Sequence, residues 1–433
     1  MSDEPGNLGR RSFVKASGVG AVAGVTGLAG CGGNSDGGGT SSGTTTGGTS
    51  SSGSSETVTI GATLPQTGSL SSSAKLIETG YRLGVEKINE NGGVGGKDVE
   101  LIIRDDESTA KKVRSNLQQI VSNNDVDMLW GSFSSLLVTA GSAYAEQQKI
   151  PFLGTTFAYM KPRVEQNYEW TFAPFGTSRD FARATKDWFD SIEDGPQRVA
   201  IWELNTGWGA ELADYWEEKL GGNGYEIVLR EKYELGAKDF STLISQTQSA
   251  DADAVLSNPV PPDGITAVKQ MKSQGWTPKL VDFIRAFDPT AWHSALGKTG
   301  EYVSSTGTGW LPGLDTNGTE ELIQRYRDQD GVDSDAVPLN MVGDGYSVTQ
   351  VAATALRAAG STENTAIQDA LMNETFDTVL GEFGFNEHGM AKEGQLVPAV
   401  GQWKDGEQKL VHPNPDGPHT MDTVYPMPDF SER

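Results

Sequence analysis

Val58-Thr59-Ile60-Gly61-Ala62-Thr63-Leu64 sets apolar residues at alternate positions and is closed by Pro65-Gln66-Thr67-Gly68. Alternation with a period of two marks a β-strand. Ile77, Tyr81, Gly84/Val85 and Ile88 then recur at helical spacing, and Val99-Glu100-Leu101-Ile102-Ile103 is a second strand. A helix over Ala110 to Ser122, a strand over Val126 to Gly131, a helix over Leu136 to Gln148 and a strand over Ile150 to Gly154 complete the series. Strands alternating with helices in this way imply a parallel sheet covered by helices on both faces.

The same grammar restarts near Arg198. Val199 to Trp202, Tyr225 to Leu229, Ala254 to Leu256 and Lys279 to Ile284 read as strands. Ala210 to Leu220, Phe240 to Ser249 and Gly264 to Gln274 read as the helices between them. Helices near Thr319–Gln329, Tyr346–Ala359 and Thr365–Met372 are expected to return to the first lobe, and short apolar runs in Glu382 to Val411 to complete the second. The expected architecture is α/β, with two Rossmann-like lobes built on parallel sheets. Lobe 1 takes residues 57–175 and 309–378, and lobe 2 takes 176–308 and 379–433. Ligands of open parallel sheets sit beyond the carboxyl ends of the strands. The loops after Leu64, Gly131, Gly154, Glu203, Ser257 and Ile284 are therefore the ones to follow.

The chain has 433 residues and a formal charge of −24, from 58 acidic and 34 basic side chains. A surface this acidic repels nucleic acid and excludes that class of partner. The acids are dispersed, which points to a very salty habitat such as that of a salt-loving archaeon; an ordinary acidic extracellular protein is the alternative. Cys31 is the single cysteine, so no intrachain disulfide can form, and four His without a close pair give no zinc site. No metal and no cofactor are expected.

Arg10-Arg11-Ser12-Phe13-Val14-Lys15 resembles the twin-arginine export motif, and the weakly apolar Ala16 to Gly30 follows it. Leu28-Ala29-Gly30-Cys31 resembles a lipobox, which makes Cys31 the expected lipid attachment site. Residues 1–31 are thus read as an address and excluded from the fold. Residues 32–56 are almost entirely Gly, Ser and Thr. They cannot bury enough apolar surface to fold and serve as a tether with a reach of roughly 25–30 Å.

From about Thr57 to Leu410 the chain resembles the type I periplasmic binding proteins, in particular the branched-chain amino acid and amide receptors of ABC importers. The segments that carry the likeness are Ile60 to Gly68, Glu86-Lys87-Ile88-Asn89, Gly93-Val94-Gly95-Gly96, Arg104-Asp105-Asp106-Glu107, Trp130 to Ser135, Lys149-Ile150-Pro151-Phe152 and Lys238-Asp239-Phe240-Ser241. The resemblance implies two lobes joined by three hinge crossovers, with a solute held between them. It implies a monomer on the extracellular face of the membrane, with ABC permease subunits as partners and no enzymatic activity. A signalling receptor of the same fold is the alternative. Two segments invite other readings. Gly92 to Gly96 lacks the Lys-Ser/Thr of a phosphate loop and reads as a helix stop with a tight turn. Asp105-Asp106-Glu107 reads as solvated or capping acids in preference to a metal cluster.

By the same resemblance, Ser134, Ser135, Thr155, Thr156 and Phe157 correspond to the first lobe's carboxylate grip. Ser135 also precedes a helix and fits an N-cap. Ser72 and Ser73 are weaker candidates. Trp208, in Asn205-Thr206-Gly207-Trp208-Gly209, corresponds to an aromatic wall or to a packed surface indole. Arg285 stands where the amino acid receptors have an acid for the ligand ammonium. An Arg in the cleft favours a carboxylate, dicarboxylate or amide, whereas an Arg on the surface would only form a salt bridge. Asp288 is the remaining acid for an amino acid ligand. The acidic composition predicts that the melting temperature of the protein rises with KCl concentration; full stability in dilute buffer, by circular dichroism, would overturn the halophilic reading.

Overall fold

The structure is a computed structural model that describes residues 57–287, 291–307, 309–396, 398–413 and 416–433. The paired arginines, Cys31, the Gly/Ser/Thr tether and Asp288 lie outside the described residues.

The first series runs β1 (Val58–Leu64), α1 (Ser71–Glu90), β2 (Val99–Asp105), α2 (Ala110–Asn123), β3 (Met128–Gly131), α3 (Ser135–Gln148), β4 (Phe152–Leu153), α4 (Lys161–Gln166) and β5 (Thr171–Phe172). Its five strands form one sheet in the order β2-β1-β3-β4-β5, parallel throughout. All of β1 is buried, as a central strand covered on both faces must be.

The chain then enters a second unit through α5 (Ser178–Ser191), β6 (Arg198–Leu204), α6 (Gly207–Leu220), β7 (Glu226–Tyr233), α7 (Ser241–Ser249), β8 (Ala254–Ser257), α8 (Pro261–Ser273), β9 (Leu280–Phe283), α9 (Ala291–Leu296) and β10 (Ser304–Thr306). It returns through α10 (Thr319–Arg327), α11 (Asn340–Ala359), α12 (Asn364–Asn373), β11 (Phe376–Thr378) and β12 (Gly381–Phe383). It ends with β13 (Val400–Lys404) and β14 (Glu407–His412). The second sheet has seven strands in the order β14-β13-β10-β9-β8-β6-β7. It is parallel from β7 to β10, and β13 and β14 add antiparallel, so it is mixed where the sequence suggested parallel strands only.

The stretch after Glu382 divides differently from the sequence expectation. β12 pairs with β11 in a hairpin of its own. The rings of Phe376, Phe383 and Phe385 stack on one another, and Phe385 also stacks on Phe172 of β5. Ala391 and Leu396 join the same apolar cluster as the first sheet, so this part belongs with the first core and only β13 and β14 extend the second sheet. Short apolar runs identify strands, but not the sheet they join.

Three segments cross between the units, close to Gly176, Gly307 and Pro398. Gly307 N–H donates to Ala399 C=O at 3.0 Å, and a Cβ on Gly176 would lie 2.8 Å from Pro398 Cγ. Gly307 has φ +78°, and a Cβ there would stand 2.6 Å from the Phe181 ring, so both its conformation and its packing demand glycine. Among the described residues no helix is long and apolar enough to cross a membrane.

α1 and α11 pack backbone to backbone. A Cβ on Gly80 would lie 2.1 Å from Val342 O and 2.7 Å from Tyr346 N. In an exposed helix Gly→Ala stabilises by about 1 kcal/mol. Here overpacking costs about 1–3 kcal/mol and opposes that gain. Gly80→Ala is expected to lower the free energy of unfolding in urea; an unchanged or higher value would mean that the two helices are not in this close contact.

Candidate functional site

Strand order locates the crevice. In the first sheet the connections diverge between β1 and β3, and in the second between β6 and β8. Ligand sites of such sheets form at these switch points, beyond the carboxyl ends.

At the first switch point the β3–α3 loop carries Ser132, Phe133 and Ser134. Ser134 has φ +81°, and Thr156, after β4, has φ +50°. Residues other than glycine rarely adopt such angles, and when they do they mark segments held by their surroundings. The holding group here is Asp106, fully buried past the end of β2. Its Oδ2 accepts from Ser132 Oγ, and its Oδ1 accepts from Ser108 N–H at 3.1 Å. Burial pushes the Asp106 carboxyl up to about 6, against the pull of those hydrogen bonds. The acidic run expected to be solvated or capping thus contains one buried acid that positions the β3–α3 loop. Gly92 to Gly96 forms a turn closed by Val94–Lys97 pairing.

At the facing strand ends, Arg285 sits in a short 3-10 turn directly after β9 and is 8 % exposed. Its guanidinium lies over the ring of Phe133 at 5.3 Å, a cation–π contact that joins the two units. Arg285 therefore faces the loop of Ser134 and Ser135. Ser134 is the N-cap residue of α3 and Ser135 its first residue, with no side-chain cap bond from Ser134. Tyr233, at the end of β7, shares a hydrogen bond of 3.2 Å with Ser257 at the end of β8. Burial raises the Tyr233 phenol above its ordinary range, and the Arg285 charge works against that rise.

The other expected residues are placed differently. The Thr155 hydroxyl bonds to Tyr81 Oη in the interior, and Tyr81 in turn packs edge-on to Trp130 at 5.0 Å. Phe157 is in the apolar core, under the buried Arg163 guanidinium at 5.8 Å. Neither side chain opens into the crevice, because each already fills a core position. The Thr156 hydroxyl is buried without a hydrogen-bond partner among the described residues. Trp208 Nε1 donates to Ser178 Oγ at 3.1 Å, and its ring is half-buried against the second core. Ser178 Oγ donates to Glu211 at 2.6 Å, and the same carboxylate accepts Met160 N–H and Lys161 N–H, each at 2.9 Å. Glu211 on α6 thereby ties the second unit to the start of α4. Ser73 is buried in the first turn of α1, beside the half-buried Ser72. The sequence reading missed Asn258, one residue past β8 and fully buried, although it had marked the loop after Ser257. No group of His, Cys, Asp and Glu among the described residues is arranged to hold a metal.

Two α/β units facing each other at their switch points, joined by three crossings and bridged by a buried arginine, define a hinged receptor for small solutes. The comparisons place the chain within that class. A model of the periplasmic binding protein family matches residues 57–407. A Leu/Ile/Val-binding protein homolog of Brucella abortus is 26 % identical over 354 residues, covering 81 % of this chain and 91 % of the relative. The branched-chain amino acid transporter substrate-binding protein of Streptococcus pneumoniae, solved with isoleucine, superimposes with a TM-score of 0.70 at 18 % identity, covering 82 % of this chain and 98 % of that one. A solute-binding protein of an ABC transporter from R. palustris, solved with benzoate, gives 0.68 at 16 % identity, covering 82 % and 96 %. The chain belongs to the periplasmic binding protein family, whose model spans most of its length.

The Asp106 carboxyl holds its proton to a higher pH in the folded chain than in the unfolded one. Its contribution to stability is complete below about 4 and is lost as pH rises through about 6. The difference in urea midpoint between the protein and Asp106→Asn is expected to change over that interval and to be flat above it; a pH-independent difference would remove the buried-acid assignment.

Proposed function

We propose that this protein captures a small carboxylate-bearing solute outside the cell and delivers it to ABC permease subunits. Arg285, buried against Phe133 between the two switch points, carries the proposal. A guanidinium presents a planar fork of donors matched to a carboxylate and repels an ammonium. Isoleucine and benzoate, bound by two relatives of the same fold, share one group, the carboxylate. In this reading Ser134, Ser135 and Thr156 contribute hydroxyls to the same solute, and backbone N–H groups at the start of α3 add donors suited to an anion. Trp208 and the 158–161 segment border the second switch point, while Thr155 and Phe157 support the loop from within. Hinge closure around the solute would present the closed form to the permease.

The same proposal includes twin-arginine export, lipid attachment at Cys31 and a tether of residues 32–56 that lets a monomeric body reach the importer at the membrane surface. Cys31 is the only cysteine and closes the lipobox-like Leu28-Ala29-Gly30. The lobes take the boundaries of the sequence reading, except that residues up to Leu396 are assigned with the first. The acidic composition supports life at high salt.

Isothermal titration of residues 57–433 against amino acids, amides and organic acids is expected to find a carboxylate ligand, and Arg285→Ala to weaken its binding by more than about tenfold. Binding of no solute at all would sink the receptor reading, and an unchanged affinity in Arg285→Ala would place that residue outside the site.

A further inference from the structure

Asn258 stands where β6 and β8 part, the switch point of the second sheet. Its side chain is 0 % exposed, yet neither Oδ1 nor Nδ2 meets a hydrogen-bond partner among the described residues. Buried amides in folded proteins are ordinarily bonded, and an orphaned one is costly to keep. No core requirement explains it: a Leu would fill a similar volume without unpaired polar atoms. A group that opposes folding stability at a switch point marks a contact awaiting a ligand.

The amide is also selective. It offers donors and an acceptor together and carries no charge. The carboxylates at the neighbouring strand ends are engaged. Glu203 is held by Arg230 at 2.8 Å and by Lys232 at 3.2 Å, Asp263 accepts from Gly236 N–H at 2.8 Å, and Asp282 is fully buried within β9, where its Oδ1 accepts from Thr306 N–H at 2.8 Å and its Oδ2 has no partner among the described residues. A solute ammonium brought here would face the Arg285 charge, with Glu203 and Asp263 already occupied and Asp282 enclosed inside its strand. A hydroxyl or an amide would pair with Asn258 in both directions.

We propose that Asn258 determines specificity, selecting a carboxylate that also carries an uncharged hydroxyl or amide group over one that carries an ammonium. The proposal rests on the solute-receptor reading above. In this role Asn258 holds the second polar group of the solute while Arg285 holds the first.

The test compares the protein with Asn258→Leu by titration calorimetry and by melting without ligand. The probes are two sets of matched carboxylates: L-lactate, propionate and L-alanine, and 2-hydroxy-4-methylpentanoate, 4-methylpentanoate and L-leucine. The unsubstituted protein is expected to bind the hydroxy acid of a set at least about tenfold more tightly than its two analogues. Asn258→Leu is expected to erase the preference for hydroxyl over hydrogen and at the same time to raise the melting temperature of the ligand-free protein. Tighter binding of the amino acid, or a lower melting temperature in Asn258→Leu, overturns the role of Asn258 and leaves the receptor standing. If a different solute emerges from the wider screen, an affinity unchanged in Asn258→Leu also overturns it. Silence toward every solute overturns both readings.

Discussion

The bundle of three crossings is the constraint on which the site depends. Two of them are tied by the bond from Gly307 to Ala399, and Gly176 lets the third pack against Pro398. Because the segments are fixed to one another, the two sheets present their carboxyl ends to a common crevice. Motion between the units must be absorbed by few residues, as hinged closure requires. Two contacts at the edge of the crevice join the units, Arg285 on Phe133 and Glu211 on the start of α4.

Within the crevice, stability and recognition pull in opposite directions. Asp106 is buried as an acid to hold the β3–α3 loop, and Thr156 and Asn258 keep polar atoms unpaired. A chain selected for folding alone would replace such groups by apolar ones. Asp106, Thr156 and Asn258 all lie just past strand ends, where a bound solute could repay what they cost the fold.

Much of the architecture was legible because buried parallel strands and amphipathic helices leave strong periodic signals, as in Val58 to Leu64 and Ala110 to Ser122. β5 was missed because two residues carry no periodicity. α5 was missed although Thr177 and Asp180 form a capping box that announces its start. The packing of the residues after Glu382 was not legible, because the core they join is decided by contacts with residues such as Phe172, over two hundred positions earlier. In the site, Arg285 was legible as a departure from a pattern. The inward turns of Thr155 and Phe157 were not, since loop side chains take their direction from partners such as Tyr81 and Arg163. Asn258 gave no signal beyond its position, because only burial without partners distinguishes it from any other loop asparagine.

The pairing of α1 with α11, sealed by Phe383 and Phe385, has a consequence for biosynthesis. The first core is not finished until nearly the whole chain has left the ribosome, so a nascent polypeptide must keep the apolar stripe of α1 waiting for partners some 260 residues downstream. Contacts between segments so distant in sequence form slowly. A chain of this topology gains from having chaperones at hand until its last helices and strands have been made.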